Sequence, residues 1–478
     1  MTVQEQQQGA EPEASRLRGN SIGALGMTSL AVAATAPLTA MTSNVSLSLG
    51  FGVGAGTVGL MLVVGALLAV FAVGYVVLSR YVTNAGAYYA FISYGLGRAT
   101  GSAGALVAAL AYNLASAGMI AATGYFTNIT VTSYGGPSVP WWAYGAAALA
   151  ITFFLGVRGI DVAQVVTTLI AVVQFAAILL LGAAVLVRSP ENWSAQVFAP
   201  SEMFHGNVAL TLVFCLLCFG GFEATAIYGE EAKAPRRSIK IATYAALLIL
   251  VLVFCFSTWS LTAAFDDVQG EAAKDPGALV FTAATVYLGD WAGSLLSVLV
   301  SLSFLASAVA FHNMAARYMF SLGRPGLLPG FLCRVHHRHG TPHAAAYTQA
   351  AISLLVLIPF VIAESDPITN LFPAVSGITS LSLLALMAGC CASVVSAALR
   401  GRLTESRWAT VVAPGIAGLG ILAIAVIVVT KYQDVTGSDS LAVALMPVLP
   451  VAAGLYGAFA SRRRPDVLLD QHLADKSG

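Results

Sequence analysis

The chain has 478 residues, with 23 Lys and Arg, 22 Asp and Glu, and 9% charged side chains in all. Hydrophobic residues make up 58% and the mean hydropathy is +0.82, whereas a soluble globular domain is about 45–50% apolar and about 25% charged. So few charges cannot coat a water-facing surface of this size. That excludes a soluble enzyme, a disordered chain and a nucleic-acid binder, and leaves a polytopic membrane protein.

A helix that crosses a bilayer needs about 20 mostly apolar residues. In chain order, residues 1–20 read as a polar, disordered tail. Twelve apolar runs follow, at roughly 22–47, 55–79, 101–124, 141–157, 162–187, 206–229, 239–265, 291–320, 344–363, 369–399, 409–430 and 441–461, and residues 462–478 form a second tail. The period-2 alternation of a transmembrane barrel is absent, and a helix satisfies its own backbone in lipid. The expectation is therefore an all-α integral membrane protein with twelve spans. No loop is long enough for a soluble domain, so 21–461 reads as a single transmembrane domain. The first run is long and eleven more follow, so it reads as a retained span and not a cleaved signal peptide. Of the six Cys, five lie in apolar runs, which implies no disulfide framework.

Charge position gives orientation. With the N-terminus inside, 20 of the 23 Lys and Arg fall in the inner loops and tails; Arg188, Lys274 and Lys431 alone fall outside. This bias predicts cytoplasmic termini and an even number of spans. By the same assignment 11 of the 22 acids lie outside and 10 inside. Glu223 remains, within a span.

Two spans carry breaks. Span 1 reads Ala31-Val32-Ala33-Ala34-Thr35-Ala36-Pro37, where Pro37 removes a backbone donor and clashes with the preceding turn. Span 6 reads Cys218-Phe219-Gly220-Gly221-Phe222-Glu223, a glycine pair beside an intramembrane carboxylate. Singly, each has an ordinary reading as a kink or a close-packing site. Together they lie five spans apart. Spans 3 and 8 match as well, each preceded by a short amphipathic segment, at 81–98 and about 276–289. Two tandem five-span units must have opposite orientation, so the pattern predicts an inverted repeat, with repeat one at about 21–188, repeat two at about 205–400 and spans 11–12 at about 409–461. Interrupted helices in corresponding positions point to a transporter's midplane site, where half-helix N-termini receive an anion and unwound carbonyls a cation.

Three stretches then carry a resemblance. Phe219-Gly220-Gly221-Phe222-Glu223 with Gly229-Glu230-Glu231-Ala232-Lys233-Ala234-Pro235-Arg236-Arg237-Ser238-Ile239 is one. Phe311-His312-Asn313, Arg317-Tyr318, Ser321 to Pro329 and Gly340-Thr341-Pro342 form the second, and Tyr81 to Tyr89 the third. Together they resemble permeases of the amino acid–polyamine–organocation (APC) superfamily over roughly residues 20–400. The resemblance implies a 5+5 inverted repeat of the LeuT-like kind with interrupted helices 1 and 6, alternating access, and coupled uptake or exchange of amino acids or amines. The chain departs from the family pattern in three places. Ala33 to Pro37 stands where many members have Gly-x-Gly. Span 5 has Gln164 and Gln174 but no Lys. Ala306-Ser307 offers one hydroxyl where sodium-coupled relatives have more.

The candidate substrate-binding residues are Ala33, Ala34, Thr35, Ala36, Pro37, Tyr112, Asn113, Phe219, Gly220, Gly221, Phe222 and Glu223. The candidates for coupling or gating are Glu223, Gln174, Ser307, His312 and Asn313. Glu223 has two open roles, a proton or substrate site and a brace for the unwound part of its span. Phe219 and Phe222 gate the site or simply pack, and His312 has the alternative of a satisfied core histidine. Gly54-Ala55-Gly56-Thr57-Val58-Gly59 matches a dinucleotide fingerprint but has no strand before it. Cys215 and Cys218 read as packing. His336, His337, His339 and His343 read as a solvated loop, and no metal or cofactor is expected. With no catalytic cluster in the spans, the expectation is a plasma-membrane transporter, not an enzyme. It would move an amino acid or small amine, with proton-coupled uptake as the leading mechanism. An exchanger without ion coupling and a transporter-like sensor are the alternatives. The expected partners are that solute, protons and the lipid bilayer, with no nucleic acid.

Overall fold

The computed structural model describes residues 23–82, 88–158, 162–227, 232–323, 326–335, 341–437 and 441–463. The N-terminal tail, the C-terminal tail from 464 onward, the Thr83–Gly86 motif, Gly229–Glu231, Arg324 and Pro325, and His336–Gly340 lie outside the described residues, while Arg462 and Arg463 close the last helix.

The elements are helical throughout, with no β-strand among the described residues. In chain order they are α1 (Ala24–Ala34), α2 (Pro37–Ala40), α3 (Ser46–Phe51), α4 (Thr57–Leu78), α5 (Tyr88–Leu96), α6 (Arg98–Ser133), α7 (Trp141–Arg158), α8 (Val162–Arg188), α9 (Pro200–Met203), α10 (Val208–Cys218), α11 (Ala224–Ile227), α12 (Pro235–Ala264), α13 (Val268–Lys274), α14 (Leu279–Leu288), α15 (Asp290–Gly323), α16 (His343–Ile362), α17 (Phe372–Leu399), α18 (Ala413–Thr430), α19 (Tyr432–Thr436), α20 (Leu441–Ala444) and α21 (Val448–Arg463). Short π-helical turns join α2 to α3 at Met41–Val45, enter α17 at Pro367–Leu371 and enter α18 at Trp408–Val412.

Among the described residues, eight helices are long and apolar enough to cross a bilayer: Gly54–Leu78, Arg98–Ser133, Ala171–Arg188, Arg236–Ala264, Asp290–Gly323, His343–Ile362, Pro367–Leu399 and Trp408–Thr430. Trp141–Val157, Val208–Cys218 and Leu279–Leu288 are apolar but shorter. Their outward residues stay hydrophobic, as at Leu355, which is 70% exposed, and Leu419, 72% exposed. Water would penalise such a surface, and hydrocarbon does not.

The centre of the bundle is α6, which packs lengthwise on α15 and is flanked by α17, α21 and α7. Its Ala- and Gly-rich sequence explains this position. Small side chains let backbones approach closely, which dispersion rewards where no hydrophobic effect operates between helices. At Gly124 a β-carbon would lie 2.3 Å from the Trp141 carbonyl oxygen, so α7 can start there only against a glycine. α1 packs on α12, and α12 on α4 and α8. Side-chain caps define several starts: Asn207 accepts from the Leu210 N–H at α10, and Asp366 accepts from the Ile368 and Thr369 N–H groups before α17.

Candidate functional site

The first break falls between α1 and α2. Thr35 leaves the helix and Ala36 turns left-handed, with φ 43° and ψ 70°. For an L-residue with a β-carbon that conformation costs about 1–2 kcal/mol. Pro37 then opens α2 at a position where its missing N–H is no loss and its fixed φ suits a helix. Thr35 donates its hydroxyl back to the Val32 carbonyl at 2.7 Å. Ala36 provides no side-chain cap, so the first amides of the second half-helix begin without one. Ala33 and Ala34 form the last turn of α1.

The second break falls between α10 and α11. Phe219 and Gly220 tighten into three-residue turns onto Leu216 and Leu217. Gly221 then adopts φ 114°, open to glycine and strained for any other residue. Its N–H donates to Glu223 Oε2 at 2.8 Å, and the Glu223 carbonyl accepts the Tyr75 hydroxyl at 2.9 Å. Glu223 is 6% exposed, and among the described residues no other Asp, Glu, Lys or Arg is buried.

Both breaks face one cavity of about 120 Å3. The first contributes Thr35, Ala36, Thr39, Ala40 and Asn44, and the second Leu217, Gly220, Gly221 and Glu223. The remaining wall is Ala111, Tyr112, Ala115, Gly118 and Met119 of α6, Ser307, Phe311 and Met314 of α15, and Phe372, Ser376, Thr379 and Leu383 of α17. The Tyr112 ring stacks on Phe311, with centroids 6.3 Å apart, and lies 5.1 Å from that of Tyr318. The chamber is thus largely apolar, with hydroxyls, one amide and one carboxylate converging on it, the usual character of a small-molecule site.

Of the residues singled out from sequence, Thr35, Ala36, Tyr112, Gly220, Gly221, Glu223 and Ser307 line this cavity. Pro37, Asn113, Phe219, Phe222, Gln174, His312 and Asn313 are not on its wall. Pro37 is buried at the start of α2. Asn113 is buried and donates to the Ala109 carbonyl at 2.7 Å. Phe219 packs against Phe254, and Phe222 against Phe71 and Tyr75. Gln174 sits one layer out: Thr39 pairs with Ser303 at 2.6 Å, and Ser303 donates to Gln174 Oε1 at 3.2 Å. His312 lies between α7, α15 and α16, its Nδ1 paired with Gln349 Oε1, whose Nε2 donates to Ser353 at 2.9 Å. Gly156 and Asn313 sit beside that ring.

Sequence reasoning passed over Thr39, Asn44 and the wall residues of α17. A signal did exist. Phe372, Ser376, Thr379 and Leu383 recur at helical spacing, as do Ser307, Phe311 and Met314. In helices apolar all round, that periodicity does not show which face looks inward.

A multi-pass helical membrane protein with a buried, solute-sized chamber between two helix breaks belongs to the class of membrane transport proteins. More narrowly, the chain belongs to the amino acid permease family, whose profile matches residues 26–467; these are permeases, not enzymes. It is similar to the branched-chain amino acid permease BcaP of Bacillus subtilis, 26% identical over 214 residues, 44% of each chain. It is similar to the low-affinity putrescine importer PlaP of Escherichia coli, 27% identical over 231 residues, 46% of this chain and 50% of the relative. It also resembles the aspartate-proton symporter of Bacillus subtilis, 23% identical over 242 residues, 49% of this chain and 46% of the relative. The matched stretches span about half the length of these relatives.

Proposed function

We propose that the protein is a secondary transporter that carries an amino acid or a small amine across the plasma membrane by alternating access. The observation that carries this reading is the meeting of two helix breaks at one buried cavity, an uncapped helix start on one side and a carboxylate on the other. A zwitterion matches both ends. Its carboxylate meets the free N–H groups of Leu38 and Thr39, helped by the helix dipole, and its ammonium meets Glu223 and the carbonyls of the second break.

In this reading the domain is residues 21–461, with twelve spans. A 5+5 inverted repeat runs over about 21–188 and 205–400, with two further spans at 409–461. Spans 1 and 6 are the interrupted pair, and both termini are cytoplasmic. The charge bias and the equivalent placement of the two breaks support it. Thr35, Ala36, Tyr112, Gly220, Gly221 and Glu223 contact the solute. Pro37 and the Ala33–Ala34 turn shape the first break, while Phe219, Phe222 and Asn113 hold the wall from behind. Glu223 is the group that takes up a proton for coupled uptake. Ser307, Gln174, His312 and Asn313 act on the movement of span 8.

The solute remains between two classes. The relatives named for branched-chain amino acids, putrescine and aspartate differ in charge, and a mostly apolar chamber favours a neutral amino acid. The test is uptake of radiolabelled amino acids and amines into proteoliposomes, with and without an inward proton gradient. Uptake that follows the gradient supports symport. Uptake that ignores the gradient but rises with solute preloaded inside would replace it with exchange, and no uptake of any tested solute would leave the chain a binding sensor.

A further inference from the structure

A second concavity shares no lining residue with the first and lies on the outer surface of the bundle between α17 and α18. It has a volume of about 590 Å3. Its floor includes Cys391, Val395 and Ser396 of α17 and Pro414, Gly415 and Gly418 of α18, with Leu399, Leu419 and Leu422 on its rims. The rims face outward: Leu399 is 77% exposed and Leu419 72%. Gly415 opens the groove, because a glycine there leaves a furrow where a side chain would otherwise fill the space, whereas at Gly418 a β-carbon would lie 3.2 Å from that of Cys391 and the two helices pack closely. A β-carbon on Gly415 would meet nothing within 4 Å.

The length of the groove says what kind of molecule fits. Along α17 it runs from Ala388 to Leu399, about 16 Å at the helical rise of about 1.5 Å per residue. One leaflet of a bilayer contributes about half of a hydrocarbon core roughly 30 Å thick. The furrow is therefore as long as one acyl chain standing in one leaflet.

The polar end of the groove is basic. Arg400 is part of its lining and directly follows Leu399. The loop beyond adds Arg402 and Arg407, against one acid, Glu405. That acid is already matched by Arg80 at 3.5 Å and by the Tyr81 hydroxyl at 2.9 Å. Arg400 donates one N–H to the Gly95 carbonyl at 3.1 Å, and Arg402 one to the Tyr94 carbonyl at 3.1 Å. A guanidinium has five N–H donors, so each is held in place with donors to spare. Trp408, 57% exposed, opens the turn that leads from this loop into α18, and an amphipathic ring at a span's end marks the boundary between headgroups and hydrocarbon. A basic pocket at the end of an interhelical furrow is the arrangement that recognises anionic headgroups.

We propose that the α17–α18 groove is a binding site for one anionic glycerophospholipid, with an acyl chain along Gly415 and Gly418 and its phosphate at Arg400. Membrane insertion is the sole condition this needs, so it stands or falls apart from the transport reading.

The test uses the full chain, delipidated in detergent and titrated with phosphatidylglycerol or phosphatidylcholine under native mass spectrometry. Wild type should take up one phosphatidylglycerol about tenfold more tightly than phosphatidylcholine. Gly415→Leu projects a side chain into open space and raises helix propensity, so it should fold, occupy the furrow and lose the lipid. Arg400→Gln should retain a lipid but bind the two headgroups alike. Equal affinity of wild type for both lipids would overturn the proposal, as would full phosphatidylglycerol binding by Gly415→Leu. A wild-type dimer that Gly415→Leu dissociates would assign the groove to a second copy of the chain instead.

Discussion

The two helix breaks face the same cavity, yet they are built in opposite ways. At Thr35–Pro37 the chain turns through a strained alanine, and no side chain caps the helix that follows. At Gly220–Glu223 the turn is made by glycine, and a carboxylate closes back onto the Gly221 amide. In the proposed function, the break that leaves its amides open receives an anion, and the break that supplies its own carboxylate receives a cation or a proton. The difference teaches that a pair of interruptions need not be chemically symmetric to serve one site, and that their asymmetry can match the two ends of a zwitterion.

The sharpest way to break this contrast is Glu223→Gln. Hydrogen bonds to charged groups are worth about 1.5–3 kcal/mol, so gradient-driven uptake should fall about tenfold or more while the purified protein still folds. Unchanged gradient-driven uptake would reduce Glu223 to a brace. Next comes Gly221→Ala, which forces a β-carbon into φ 114°. A cost of about 1–3 kcal/mol is expected, read as a lower melting temperature in detergent. A melting temperature equal to wild type would mean that this turn relaxes freely.

Tyr75→Phe removes the hydroxyl that holds the Glu223 carbonyl. It should destabilise by about 1 kcal/mol and weaken uptake less than Glu223→Gln does. The smallest effect is expected at the first break. In Ala36→Gly, relief of left-handed strain is offset by the greater freedom of glycine in the unfolded chain, leaving a net change of about 0.5 kcal/mol or less. A large gain in melting temperature there would show that Ala36 stores strain that the first break uses.

The site is partly legible in the amino-acid sequence. Pro37, Gly220, Gly221 and Glu223 announce themselves because helix breakers and intramembrane carboxylates stand out against a uniformly apolar background. Thr39, Ser376 and Thr379 do not stand out, because hydroxyls are common in membrane helices and bond to their own backbone, as Thr379 does to Val375. His312 and Asn113 look equally promising in the sequence, yet one is paired with Gln349 between helices and the other donates to its own helix. A polar residue in a span reports that it needs a partner. It does not report whether the partner is solute or protein.

Composition alone determined that this chain lives in a membrane, since so few charges cannot cover a water-facing surface. Local breakers determined where two spans lose their helical geometry. Only the tertiary structure decided which faces of α6, α15 and α17 look into the cavity, because helices apolar on every side carry no amphipathic phase from which their rotation can be read. It alone also decided that the two breaks meet, and that Gly415 leaves open space in a groove that Arg400 also lines. These are consequences of packing between segments distant in the chain, and packing in lipid is set by side-chain shape, which no local pattern encodes.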